Sequence, residues 1–399
     1  MPFQAPPLPP QCRRAEALGK LAPKLPEILL PEALKVARAI THQFSRAIAL
    51  RELVPHVPEI LPEALEAAQV ITDEFRRAIA LRELALHMAE LIPEALEAAR
   101  EINNEYKRAL VLRKLAPHVP EILPEALEVA RAITDEEYRA WALIELALHL
   151  PDILPEVLEA ARAIKNEYDR AVALIRLAPH VPDILPEALE AAQAITDDYD
   201  RANALGQLTP HMPEIISEAL EAARAIKGES RRAIALSKLA PYVPETLPEA
   251  LETAKVTNDE YEQAEALAEI APHLPESLLP EALEAARAIT DESSRAKALG
   301  GIAPHLPESL LAEILKAARN IRDEYHRAQA FSGLIKNPNF SLQEDFSLWK
   351  EFIHTLACRD RKDFLEYLVN LSPTIISMGG KEALASTVQA IHDVSRWWP

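Results

Sequence analysis

Cysteine is nearly absent from this 399-residue chain, with Cys12 and Cys358 the only two. Two thiols cannot build a disulfide framework, so a reducing cytoplasm is the default compartment. Glycine is scarce, at 8 residues against 33 prolines, an imbalance that the periodicity below explains. Cations fall short of acids: 43 Lys and Arg stand against 62 Asp and Glu, for a net charge of −19. So large an acidic excess excludes a nucleic-acid ligand, which needs a basic face. It also excludes residence on an anionic membrane. No apolar run approaches the roughly 18–20 residues of a membrane span. The opening MPFQAPPLPPQCRR lacks the apolar centre of a signal peptide. What is present is 49% hydrophobic and 26% charged residues, the composition of a folded protein.

The chain repeats itself. An Arg-Ala pair begins at Arg14, Arg46, Arg77, Arg108, Arg139, Arg170, Arg201, Arg232, Arg295 and Arg327, with Gln263 in the one missing place. Ten repeats of 31–32 residues therefore run over 14–326. Their consensus is R-A-x-A-L-x-x-L-A-P-H-x-P-E-x-L-P-E-A-L-E-A-A-R-A-I-x-D-E-Y-x. Each repeat reads as two short helices. The first starts after a capping Asp or Asn, such as Asp73, Asn104, Asn166 or Asp197. It ends at a proline, which cannot continue it, as at Pro210. The second helix carries proline in its first turn, where a missing N–H costs little, and is expected from about Pro186 to Ile195. Leu185, Ala188, Leu189, Ala192 and Ile195 keep the i, i+3, i+4, i+7 spacing of one buried face. A lone hairpin of this length cannot bury both its stripes, so neighbours must stack. The expected fold is all-α: an α-solenoid, a TPR/HEAT-like superhelix of about ten helix-turn-helix repeats.

Residues 1–13 read as a Pro-rich extended lead. Residues 327–399 differ from the array and carry Trp349, Trp397 and Trp398. Helices are expected there over Ser347 to Ala357, Asp363 to Leu371 and Glu382 to Val394, as a helical C-terminal cap over the last repeat.

No catalytic motif survives inspection. Gly379-Gly380-Lys381-Glu382 lacks the spacing of a phosphate loop and the Ser or Thr after its Lys. An enzymatic site would have to use His354, Cys358 or His392, and these form no recognised constellation. A column of His, at His56, His87, His118, His149, His180, His211, His273 and His305, suggests a pH sensor or a metal ladder. Equivalent residues of stacked repeats are too far apart for one metal ion, and each His more simply ends a helix and bonds its last carbonyls. The repeated Arg follows the helix-start acids at salt-bridge spacing and reads as a stacking residue. No catalytic residue, metal site or cofactor is assigned.

The informative positions are those free to vary between repeats. Two residues after the repeated Arg, the first repeat carries Glu16, repeats two to six carry Ile48, Ile79, Leu110, Trp141 and Val172, and later repeats carry Asn203, Ile234, Glu265 and Lys297. Five residues after it stand Arg51, Arg82, Arg113, Ile144 and Ile175. Facing solvent, these form an apolar stripe beside three arginines: a candidate groove for a protein or peptide partner with acidic groups, anchored on Trp141. The alternative is that the aliphatic residues pack between adjacent first helices while the arginines pair with acids such as Glu52 and Glu83.

The unit R-A-x-A-L-x-x-L-A-P-H-L-P resembles the short helical-hairpin arrays at the C-termini of large bacterial, especially cyanobacterial, STAND-type NTPases of the NACHT and NB-ARC kind. The ending, from Leu348-Trp349 through Gly379-Gly380-Lys381-Glu382-Ala383-Leu384 to Asp393-Val394-Ser395-Arg396-Trp397-Trp398-Pro399, is similar to the terminal segment of such proteins, so the resemblance covers 14–399. It implies a sensor array whose switch is an NTPase module and whose output is a further domain. This chain has neither, which makes it an excised sensor region or a free-standing relative. The function expected is a non-enzymatic scaffold or sensor of a bacterial signalling or defence system. The other readings are a structural spacer and, more remotely, an enzyme with its site in the C-terminal region.

Overall fold

A computed structural model describes residues 30–147, 149–341 and 346–356, with scattered positions up to 387. The Pro-rich lead, the first helix of repeat 1, Cys12, Cys358 and His392 lie outside the described residues, as does most of the two helices expected after position 360. Twenty-one α-helices and no strand occur among the described residues. Within each of the two compact bodies, consecutive helices pack together and first helices pack on the first helix of the next repeat, making an all-α solenoid. The described chain divides into two compact bodies at Ile153 and Leu154, and the second reaches Asp360.

Repeat 6 shows how the sequence builds one hairpin. The Asn166 side chain accepts from the Asp169 N–H at 2.9 Å and starts the helix Glu167–Leu177. A single 3-10 turn, Pro182–Ile184, follows and feeds the second helix, Leu185–Gln193. This turn was not expected. Pro182 and Pro186 stand in the first turn of each segment, where a missing N–H costs little. Ala188, Ala192 and Ile195 of the predicted apolar face are buried, and Leu185 and Leu189 are half-buried.

The repeated Arg links successive repeats through a partner other than the acids its spacing suggests. Its constant partner is the carbonyl of the Ile that ends the preceding helix. Arg77 donates to Ile71 O at 3.0 Å and Arg139 to Ile133 O at 3.0 Å. In the second body Arg170, Arg232 and Arg295 do the same to Ile164, Ile226 and Ile289 at 3.1, 2.8 and 2.8 Å. Where Arg is missing, Gln263 reaches the Lys255 carbonyl at 2.8 Å. A cation at helix carbonyls satisfies orphan acceptors and opposes the negative end of the dipole. Pairing with a helix-start acid is occasional, as in Arg295–Glu292 at 3.6 Å.

Second helices are tied by a rung that repeats 25 residues apart. Arg38–Glu63 and Arg100–Glu125 close at 2.6 and 2.7 Å in the first body, and Arg162–Glu187 and Arg224–Glu249 at 2.6 and 2.7 Å in the second. Gln69 and Gln193 hold the rung by donating to Glu94 and Glu218. The hydrogen bond from Arg holds the carboxyls of Glu63, Glu125, Glu187 and Glu249 below the usual range. The last rung is Arg319 to Glu351, Nε to Oε1 at 2.9 Å. Phe331 also stacks on Phe352 at 4.1 Å. The helices Glu324–Lys336 and Phe346–Leu356 thus extend the same hairpin pattern past the tenth repeat. The expected cap at Ser347 falls inside that last helix.

Three glycines, Gly300, Gly301 and Gly333, bring first helices of the second body close together. A Cβ on Gly300 would lie 2.9 Å from the Gln329 carbonyl oxygen, and one on Gly333 would overlap the backbone of Gly300. Gly301 stands as close to Ala268. First helices Glu260–Ile270, Glu292–Ile302 and Glu324–Lys336 therefore touch backbone to backbone.

Candidate functional site

Five residues after the repeated Arg, where Gly206 and Gly300 stand in the second body, the first body carries Arg51, Arg82, Arg113 and Ile144. Helices Gln43–Leu53, Glu74–Ala85 and Glu105–Leu115 each present an aromatic, an aliphatic and an Arg at i, i+4 and i+7. The triplets are Phe44/Ile48/Arg51, Phe75/Ile79/Arg82 and Tyr106/Leu110/Arg113. All nine side chains are half-buried. Residues four and seven apart share one face of a helix, so each triplet forms a short ridge.

Each ridge engages the next. The Arg76 guanidinium lies 5.8 Å from the Phe44 ring centroid and the Lys107 ammonium 5.4 Å from that of Phe75. Tyr106 stacks on Tyr138 at 4.4 Å. Burial raises the Tyr106 phenol and lowers the Arg51 guanidinium, an effect Glu83 opposes and Arg82 reinforces. The aromatic row of Phe44, Phe75 and Tyr106 is not among the residues singled out by the sequence pattern. Its signal was the recurrent aromatic after the helix-start acid.

The ten predicted site residues separate into three groups. Ile48, Ile79, Leu110, Trp141 and Val172 are half-buried rather than fully open to solvent. Arg51, Arg82 and Arg113 are half-buried and paired with acids. Arg51 meets Glu52 and reaches Glu83 of the next repeat at 3.2 Å, Arg82 meets Glu83, and Arg113 reaches Glu145 at 2.6 Å. Ile144 and Ile175 do not face solvent at all, with 5% exposure each. Three residues beyond the aliphatic row is a rotation of about 60° away from the face. A short Ile at that place stays between helices, whereas an Arg head extends out of it.

The His column carries no metal arrangement. The backbone N–H, not the ring, satisfies the helix end: His118 N donates to Leu115 O at 2.9 Å and His211 N to Leu208 O at 2.8 Å. The rings of His56, His87, His118, His149, His180 and His211 are exposed. No group of three His, Cys, Asp or Glu among the described residues is placed to hold a metal ion. In the second body, partial desolvation and then the His273 charge lower His305. His354 is exposed on the helix Phe346–Leu356. No helix among the described residues is long and apolar enough to cross a membrane.

No family model matches the chain, and no curated protein matches it. Among solved structures, the crystal structure of Ton1535 from Thermococcus onnurineus NA1 is similar at 17% identity, over 80% of this chain and 98% of that one, with a TM-score of 0.29.

Proposed function

We propose that this chain is a non-enzymatic protein-interaction module, a sensor or scaffold of a bacterial signalling or defence system, working in the cytoplasm. Its partner is a protein or peptide bearing acidic groups, taken on the first-helix ridges of repeats two to five. The resemblance to STAND-type sensor arrays supports the sensor part of this reading. The observation that carries the binding part is the changing chemistry of one column. It is aliphatic or Trp at Ile48, Ile79, Leu110 and Trp141 of the first body. In the second body it holds Val172 and Ile234 but also Asn203, Glu265 and Lys297, the last two on the helices that the glycines bring close together. Stacking therefore does not demand an apolar residue there. A half-buried apolar row on a protein of net charge −19 is better explained by something that covers it.

The test is capture from a lysate of the source organism, using the full chain and its Trp141→Ala variant side by side. A specific partner held by the wild type and lost by a folded Trp141→Ala supports the reading. A chain that retains nothing is a spacer, and the reading fails.

A further inference from the structure

The pairing of arginines across the first helices has a fault at one place. Arg51 faces an acid of the next repeat, Glu83, and Arg113 faces Glu145. Between them, Arg82 should face the residue in the same register of repeat 4. That residue is Lys114, not an acid. Lys114 is exposed, and Arg82 falls back on its own neighbour Glu83, which Arg51 already uses. The Nε–H groups of Arg82 and Arg113 are buried without a hydrogen-bond partner among the described residues. Over these rungs four cations, Arg51, Arg82, Arg113 and Lys114, stand against three carboxylates, Glu52, Glu83 and Glu145. The surplus cation sits one to two turns along the helices from half-buried Ile79 and Leu110.

We infer that the Arg82–Lys114 rung is an open carboxylate site, which takes a Glu or Asp side chain of an acidic peptide partner while Ile79 and Leu110 receive an adjoining apolar residue. The inference rests on the interaction reading above and names the chemistry of that surface. Intramolecular carboxylates complete the rungs on either side, so a carboxylate is the group this register fits. Arg and Lys donors bind carboxylates by charge-assisted hydrogen bonds, stronger than neutral ones. The rest of the molecule is acidic and repels such a ligand elsewhere, which confines it to this rung.

The test uses the full chain and a labelled synthetic peptide in which Glu and Leu alternate, with a twin in which every Glu is Gln. Fluorescence anisotropy should show the Glu peptide binding at least about tenfold tighter than its twin. Lys114→Glu should erase that preference, and because it restores the pattern of the neighbouring rungs it should fold as the wild type does. Lys227→Glu, the same charge change on an exposed residue of the second body, should keep the preference. Equal loss in both variants would mean attraction by net charge alone and would overturn the inference. So would a preference that survives Lys114→Glu, or no preference in the wild type. If a captured protein partner still depends on Trp141 in any of those cases, the interaction reading stands and only the open rung falls.

Discussion

Arg51 of one first helix reaches Glu83 of the next at 3.2 Å, and 31 residues further on Lys114 occupies the place of that Glu opposite Arg82. A repeat that pairs its charges on two rungs and opposes like charges on the one between has given up some stability at that point. Lys114→Glu should recover it. A half-buried ion pair of this kind contributes up to about 1 kcal/mol, so urea unfolding should show a gain of that size, shrinking at high salt. A loss of stability would mean that Lys114 has a structural role.

Replacing the carbonyl-capping Arg should be costly wherever it occurs. Arg295→Ala removes donors to Ile289 O and Thr290 O, at 2.8 and 3.0 Å. Hydrogen bonds from charged donors contribute about 1.5–3 kcal/mol, and chemical denaturation should report a loss within that range. Arg295→Gln should lose less, because Gln263 performs the same task in its own repeat.

Two glycines should respond in opposite ways. Gly333→Ala pushes a methyl into the Gly300 backbone, and overpacking of this kind costs about 1–3 kcal/mol or more. Gly228 has open space around its Cβ position and stands at the N-cap, with no side-chain bond to offer. Gly228→Asp restores the cap found at Asp197 and Asp259 and should stabilise by roughly a few tenths of a kcal/mol. Thermal melts of the two variants decide both.

How much of this was legible in the sequence depends on period. The hairpin, its caps and its proline punctuation could be read because backbone geometry forces the same residue types into every repeat. The 3-10 turn at Pro182–Ile184 escaped because its Val-Pro-Asp-Ile pattern is also that of a plain loop. The repeated Arg does tie one repeat to the next, but its carbonyl partner was hidden because a carbonyl leaves no mark in a sequence, whereas nearby acids do. The burial of Ile144 and Ile175 was missed for a different reason. Their column also holds Arg, and the two side chains leave the same backbone position for different destinations. The Arg319–Glu351 rung lay beyond reach because the connection before Phe346 breaks the 31-residue register.

Acid should loosen the solenoid over a defined window. Glu63, Glu125, Glu187 and Glu249 have folded-state affinities for protons below their ordinary value of 4.5, held there by Arg partners. A depressed carboxyl stabilises the fold above its unfolded pKa and loses that contribution as pH falls through the folded one. Melting temperature should therefore decline as pH drops below about 4.5. His305, also depressed, adds a smaller decline that begins below about 6.5. Glu187→Gln should make the acid decline shallower. A melting temperature that stays level from neutral pH down to pH 3 would contradict the assignment.

The binding surface itself is decided most directly by splitting the effect of Trp141→Ala between stability and affinity. The variant's unfolding free energy and its dissociation constant for the partner captured by the wild type are measured together. The expected result is an affinity loss of at least about 2 kcal/mol, the range of an interface hot spot, with stability changed by less than about 1 kcal/mol. A loss of several kcal/mol in stability with unchanged affinity would make Trp141 a packing residue and contradict the claim that these ridges bind a partner.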